Sequence, residues 1–175
     1  MNWSTEFVEL NKSIHDRATF NCGVNELNTF IKTHASKHML AGISKTMVLP
    51  TSDTLTNGML PIAAFYTITV SSIKKEVLPD TFSRKLPHYP VPVFLLAQLA
   101  IQSEYQKMGL GKITLINALK YFSEIYSHMH AYAVIVDCFN EAAETFYGKF
   151  GFEKLCILNG RMRMFLPMKV VKQLF

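Results

Sequence analysis

Apolar positions along this chain switch between a period of two and a period near 3.6, and the switches divide it into elements. Phe7-Val8-Glu9-Leu10 alternates and predicts a first strand. Val24, Leu27, Phe30, Ile31 and Ala35 fall at helical spacing, so Val24 to His38 reads as an amphipathic helix that breaks at Gly42 and Ser44. Lys45 to Pro50 and Leu60 to Ser71 read as paired strands around a polar turn, Thr51 to Gly58. Lys74 to Pro92 carries Pro79, Pro87, Pro90 and Pro92 and reads as loop with a single helical turn. Phe94 to Ile101 is apolar on both faces apart from Gln98, as a central strand covered on both sides would be. Lys112 to Phe122 returns to helical spacing, with Ile113, Ile116, Leu119, Lys120 and Phe122 as its buried stripe. Ala131 to Cys138 is a further apolar strand, and Glu141 to Phe150 a short helix closed by Gly151. Phe152 to Leu158 and Arg161 to Val170 read as a last hairpin, turned at Asn159-Gly160.

This order is an α/β mixture with a parallel crossover from Phe94 to Cys138 through one helix. No linker or repeat divides it, so one domain over residues 1–175 is expected. A composition 49% hydrophobic and 18% charged fills an interior and argues against disorder. The excess charge of +5 permits an anionic partner without requiring one. Cys22, Cys138 and Cys156 form no C-x-x-C pair, and His34 and His38 lack the partners of a zinc motif, so neither a metal nor a disulfide frame is expected. Val91 to Ile101 is too short to span a bilayer, and Met1 to Glu6 has no basic start or apolar core of a signal peptide. A reducing cytoplasm is the compartment these features suggest.

Two stretches carry candidate chemistry. Gln106-Lys107-Met108-Gly109-Leu110-Gly111 lies between the central strand and the next helix. Gly109 and Gly111 can turn with positive φ and hold no Cβ against a ligand, and the helix start beyond adds unpaired N–H groups, which together suit a phosphate or pyrophosphate. The pattern is neither a P-loop nor a dinucleotide-binding fingerprint. Further on, Asn140, Ala143 and Tyr147 at i, i+3 and i+7 share a helix face that starts at the end of the neighbouring strand. Both loops are expected at one crevice beyond the carboxyl ends of these strands. Asn140 either binds an amide-rich ligand arm or caps its helix. Tyr147 either donates a proton to a leaving group, from a reference pKa of ~10, or packs beside Phe146 and Phe150.

The Q-x-x-G-x-G loop, Asn140-x-x-Ala143-x-x-x-Tyr147 and Phe146-Tyr147-Gly148-Lys149-Phe150-Gly151-Phe152 together resemble the GCN5-related N-acetyltransferase (GNAT) superfamily. The resemblance implies a mixed sheet of about six to seven strands whose central parallel strands splay apart around coenzyme A. It implies backbone contacts to the pantetheine arm from Leu99, Ala100 and Ile101. Pyrophosphate contacts would come from Gln106, Lys107, Met108, Gly109, Leu110 and Gly111. Asn140, Ala143 and Phe146 belong to the second coenzyme A motif, with Tyr147 as general acid toward the departing thiolate. Four more segments resemble the acetyltransferase toxins of bacterial type II toxin–antitoxin pairs: His15-Asp16-Arg17 to Phe30, Ala64-Phe65-Tyr66-Thr67-Ile68, Pro90 to Leu96, and Arg163 to Met168. That resemblance implies acetyl-CoA as donor and the α-amino group of aminoacyl-tRNA as acceptor, so that translation stops. It also implies a ribbon–helix–helix antitoxin as partner and a homodimer.

The chemistry bears on the acceptor. The central strand offers no carboxylate as base, and Asp137, Glu141 and Glu144 cannot be aimed from sequence. A lysine of pKa ~10.4 would want such a base, whereas an α-amino group near ~7.7–8.0, lowered further by its ester, would not. Arg17, Lys32, Lys37, Lys45, Lys85, Arg161 and Arg163 are the candidate RNA contacts. Two other readings stand beside this one. One is an acetyltransferase for a small amine or a protein amino terminus. The other is an acetyl-CoA-sensing module without turnover.

Overall fold

The computed structural model describes residues 3–175; Met1 and Asn2, at the head of the segment expected not to be a signal peptide, lie outside them. The strands are β1 (Val8–Glu9), β2 (His15–Asp16), β3 (Lys45–Pro50), β4 (Leu60–Ile73), β5 (Val91–Ile101), β6 (Ala133–Cys138), β7 (Glu153–Leu158) and β8 (Arg161–Pro167). The helices are α1 (Asn25–Thr29), α2 (Ala35–Leu40), α3 (Asp80–Ser83), α4 (Leu110–Tyr126), α5 (Glu141–Gly148) and α6 (Met168–Val171). Seven strands follow the order β1-β3-β4-β5-β6-β8-β7, and β2 pairs with β4 off this path. The sheet is mixed. β3 and β4 are antiparallel, β5 and β6 parallel, and β8 runs antiparallel to both β6 and β7.

Two compact units make up the fold: the chain up to Thr69 with Gln98–Ala118, and Val70–Ala97 with Leu119–Phe175. In the first, the antiparallel β3–β4 ladder buries Val48, Leu49, Ala64, Phe65 and Tyr66. The hydroxyls of Thr46 and Thr67 pair at 2.7 Å inside it, and the Tyr66 hydroxyl donates to Asn117 Oδ1 at 2.7 Å, so the buried oxygens are satisfied. In the second, Ile73, Val91, Val93, Ile135 and Phe165 form one apolar cluster, and Phe94 stacks on Phe122 of α4 at 5.0 Å. The β5–β6 register joins only Phe94–Leu96 to Val134–Val136, although both strands run on. That short register agrees with the splay expected of the central strands.

Several expectations change. Between α1 and α2 the helix widens into a π turn, Phe30–His34, where the Ala35 N–H donates to Phe30 O, five residues back. β2, the eighth strand, is invisible to periodicity because two residues cannot show a period. The central strand is covered less deeply on one face: Leu95, Ala97, Leu99 and Ile101 are partly buried, with Leu95 and Ile101 packed against apolar clusters. On α4 the buried stripe is Leu110, Leu115, Ala118, Leu119 and Phe122, with Thr114; Ile113, Ile116 and Lys120 are exposed. Both sets fit helical spacing, and packing on the sheet selects the one rich in leucine and alanine. The final strand ends at Pro167, whose ring cannot donate to a ladder, and α6 follows. The Asn159-Gly160 turn holds, with φ of 51° and 77° at its two residues, as a tight hairpin requires.

Replacing Leu119 by Ala should lower stability by about 2–5 kcal/mol, and replacing Ile116 by Ala by about 0.5 kcal/mol or less. Urea midpoints of the two variants check the assignment; equal losses would overturn it.

Candidate active site

The glycine loop belongs to the first unit and is strapped down by amides distant in sequence. After Ile101 the chain makes a 3-10 turn, Ser103–Tyr105. The Gln106 side-chain Nε2 donates to Ile101 O at 2.9 Å and to Cys22 O at 2.8 Å. The Asn21 N–H donates to Gln102 Oε1 at 2.9 Å, while Ser103 donates from its N–H and its hydroxyl to Asn21 O. Asn28 closes the strap: its Oδ1 accepts from the Cys22 N–H and its Nδ2 donates to Asn21 Oδ1. The sequence placed Gln106 in the loop by motif, but Asn21, Asn28, Gln102 and Ser103 as its supports only appear once the chain is folded.

The loop itself turns left-handed at Lys107 (φ 63°) and Gly109 (φ 84°). Gly111 does not; it lies in the first turn of α4, where right-handed backbone is required. The second left-handed position thus falls on a lysine, at a cost of about 1–2 kcal/mol that a glycine would not incur. Lys107, Met108 and Gly109 are exposed, and Leu110 is buried against Leu49, Ala63 and Ala64, pinning the helix start. The first helical bond of α4 runs from Ile113 N to Gly109 O, so the N–H groups of Leu110, Gly111 and Lys112 precede the ladder. A Cβ built on Gly109 meets no atom within 4 Å, so the space beside it is open. Open space, unpaired N–H groups and a helix dipole suit an anionic ligand. Of the adjoining strand residues, Ala100 is buried and Leu99 and Ile101 are half-buried.

Asn140, Ala143, Phe146 and Tyr147 belong to the second unit. Asn140 is extended (φ −160°, ψ 177°), and its Oδ1 accepts the Ala143 N–H at 2.9 Å; it caps α5. Tyr147 is buried, with Phe146 and Phe152 rings at 5.1 and 5.3 Å. Burial holds its phenol pKa well above the ordinary value, and the Cys138 thiol adds to the effect. Cys138 is itself pushed up to about 11, by burial first and then by Glu144 and Asp137. Both groups therefore keep their protons at neutral pH. The Asp137 carboxylate is occupied: Arg163, its register partner on β8, holds it with two bonds of 2.8 and 3.0 Å. Arg163, expected among the RNA contacts, is thus engaged within the sheet. Glu144 pairs with Lys154 at 3.6 Å, and Arg161 lies over the Phe139 ring at 4.2 Å. Among the described residues no group of three or more His, Cys, Asp or Glu could hold a metal ion. No helix among them is long and apolar enough to cross a membrane.

Residues 80–152 match the Acetyltransferase (GNAT) family. That match takes in the Gln106–Gly111 loop, α4, β6 and α5, the segments that carry the candidate chemistry. Over 173 residues the chain is 28% identical to a probable toxin TacT of Sinorhizobium fredii, covering 94% of this chain and 92% of that protein. Its fold matches that of a tyrosine-to-phenylalanine mutant of KacT with a TM-score of 0.89 and 26% identity, over 100% of both chains. AtaT complexed with acetyl-methionyl-tRNAfMet matches with a TM-score of 0.83 and 25% identity, over 97% and 98% of the two chains. AtaTR bound with AcCoA shares the fold, with a TM-score of 0.82 and 24% identity over 99% and 98%. Over nearly its whole length the chain is thus similar to a probable toxin and to solved structures of KacT and AtaT.

Two outcomes follow from this geometry. Gln106→Glu puts a carboxylate against two carbonyls in place of two donors. It should cost about 1–3 kcal/mol and speed amide exchange from Lys107 to Leu110; unchanged protection would mean the strap does not hold the loop. The raised Cys138 pKa makes stability alkali-sensitive. The unfolded thiol releases its proton near the reference 9.0 while the folded thiol retains it to about 11. Stability from this group is full below the lower value and falls as pH rises through the window. The slope of stability against pH there should be shallower in Cys138→Ala.

Proposed function

We propose that this domain transfers the acetyl group of acetyl-CoA to the α-amino group of the amino acid on charged tRNA, and so acts as a toxin that blocks translation. The observation that carries the reading is likeness over the whole chain, in sequence and in fold, to toxin acetyltransferases, one of them seen with acetylated aminoacyl-tRNA. We read the two compact units as parts of one acetyltransferase domain, since β4 and β5 each run through both. The cytoplasm, where translation runs, is the compartment. Solved relatives include AtaT bound to the C-terminus of the antitoxin AtaR and a KacTA–DNA complex. They support an antitoxin as the partner of this chain, and we take it to be small and of the ribbon–helix–helix type by the resemblance noted in the sequence. A homodimer is the assembly.

In this reading the loop from Gln106 to Gly111 receives the pyrophosphate of acetyl-CoA on the N–H groups at the start of α4. Leu99, Ala100 and Ile101 offer their backbone to the pantetheine arm, and Asn140, Ala143 and Phe146 belong to the second coenzyme A motif. The substrate amine attacks the thioester carbon; a C–N bond forms, the C–S bond breaks, and Tyr147 gives its proton to the leaving sulfur. The amine's own proton passes to water. Burial keeps the proton on Tyr147 at neutral pH, so that it is in place when charge develops on the sulfur, while the same raised pKa makes the phenol a weaker acid. With Asp137 held by Arg163, an amine that is largely neutral without a base fits better than a lysine side chain.

Tyr147→Phe should keep acetyl-CoA affinity and lower turnover by about 10²-fold or more; full activity would remove Tyr147 from the mechanism. Gly111→Glu should abolish acetyl-CoA binding by bulk and charge; an unchanged affinity in calorimetry would place the pyrophosphate elsewhere. The deciding assay supplies labelled acetyl-CoA with charged tRNA, the same tRNA deacylated, and a panel of small amines and peptides. Base-labile label on charged tRNA alone establishes the reading. Label on amines or peptides alone keeps the donor and replaces the acceptor. Binding of acetyl-CoA without transfer to anything leaves a sensing module.

A further inference from the structure

The first unit carries a basic cleft that gathers Arg17 and Lys32, two of the candidate RNA contacts, with Lys12. It is a cavity of about 520 Å³ lined by Lys12, His15, Arg17, Lys32, Asn57 and Met59, with Asp16 at its floor. Three cations surround it, and among the described residues none of the three is in an ion pair. The one acid present is buried and spent inside the fold: Asp16 accepts from the Ala18 N–H and from the Thr19 hydroxyl. The floor is also fixed. β2 holds His15 and Asp16 against Leu60 and Pro61, and His15 Nδ1 accepts the Asn11 N–H at 3.0 Å, which leaves its Nε2 as the proton-bearing nitrogen of the neutral ring. One arm of Arg17 is tied down. Its Nη1 donates at 3.2 Å to Lys32 O, in the π turn, so the guanidinium is held in place with further N–H groups to offer. A second cleft shares Lys12 with the first and adds Lys37, with Glu9 beside them paired to Lys45.

We infer that the cleft of Lys12, Arg17 and Lys32 is a docking site for the phosphodiester backbone of the RNA substrate. The inference rests on the aminoacyl-tRNA reading of the active site and names the residues that would position that substrate. Free ammonium groups, a tethered guanidinium and an amide are donors for phosphate oxygens. An acidic, amphipathic protein segment would want an apolar floor, and Met59 and Ala18 are the only apolar residues here. Such contacts position the substrate and add affinity with little dependence on sequence.

The test uses the full chain and its Lys12→Ala/Lys32→Ala variant, with fluorescently labelled deacylated tRNA, followed by anisotropy from ~50 to ~200 mM KCl. The variant should bind about tenfold more weakly, and the slope of log affinity against log salt should shrink by about 2. Acetyl-CoA affinity should not change, which shows that the variant is folded. Arg17→Lys, which keeps the charge and loses the fork, should show the wild-type salt slope with reduced affinity. Equal affinity and slope in wild type and double variant would overturn the inference. So would poly-glutamate binding that depends on these lysines while tRNA binding does not. Cleft-dependent tRNA binding without acetylation of charged tRNA would sustain the cleft and sink the proposed acceptor, so the two failures are distinguishable.

Discussion

The loop that opens α4 exists because side-chain amides hold it to a segment about eighty residues earlier. Gln106 reaches Cys22 O, and Asn21 reaches Gln102 and Ser103, across sequence separations of 81 to 84 residues. A loop with two left-handed residues, one of them a lysine, has little local reason to keep its shape. The strap supplies that reason, and it does so with neutral amides rather than charges. The cations and N–H groups around the loop are thereby left for a ligand. The Asn21-Cys22-Gly23 turn and Asn28 on α1 thus act on α4 from the far end of the chain.

In the second unit the same economy governs the acid–base groups. Asp137 is the carboxylate nearest the end of β6, and a cross-strand arginine consumes it. Tyr147 and Cys138 are kept neutral by burial between apolar neighbours. With Asp137 tied to Arg163 and Tyr147 held protonated, the proposed reaction is best served by an acceptor amine that arrives neutral.

Most of the architecture was legible along the chain. The strand runs at Lys45–Pro50, Leu60–Ser71 and Phe94–Ile101, the glycine turn before α4 and the Asn159-Gly160 hairpin are local patterns with local causes. The misreadings share one physical origin. Ile113 and Ile116 fit the period of α4 as well as Leu115 and Leu119 do, and only packing on the sheet chooses between stripes. The π turn at Phe30–His34 changes the hydrogen-bond step without altering which residues are apolar. Asn140 is no misreading, since the cap its Oδ1 makes on the Ala143 N–H was one of its two expected roles.

By itself the sequence determined the order of elements, the loop of Gln106 to Gly111 and the placing of Tyr147 on a helix face after β6, because turn chemistry and residue spacing act within a few residues. Tertiary structure alone decided which groups are free to act. Burial held the protons on Tyr147 and Cys138, the β6–β8 register gave Asp137 to Arg163, and the strap from Asn21 and Cys22 fixed the loop. Each of these is a contact between residues far apart in the chain, which a linear pattern cannot encode.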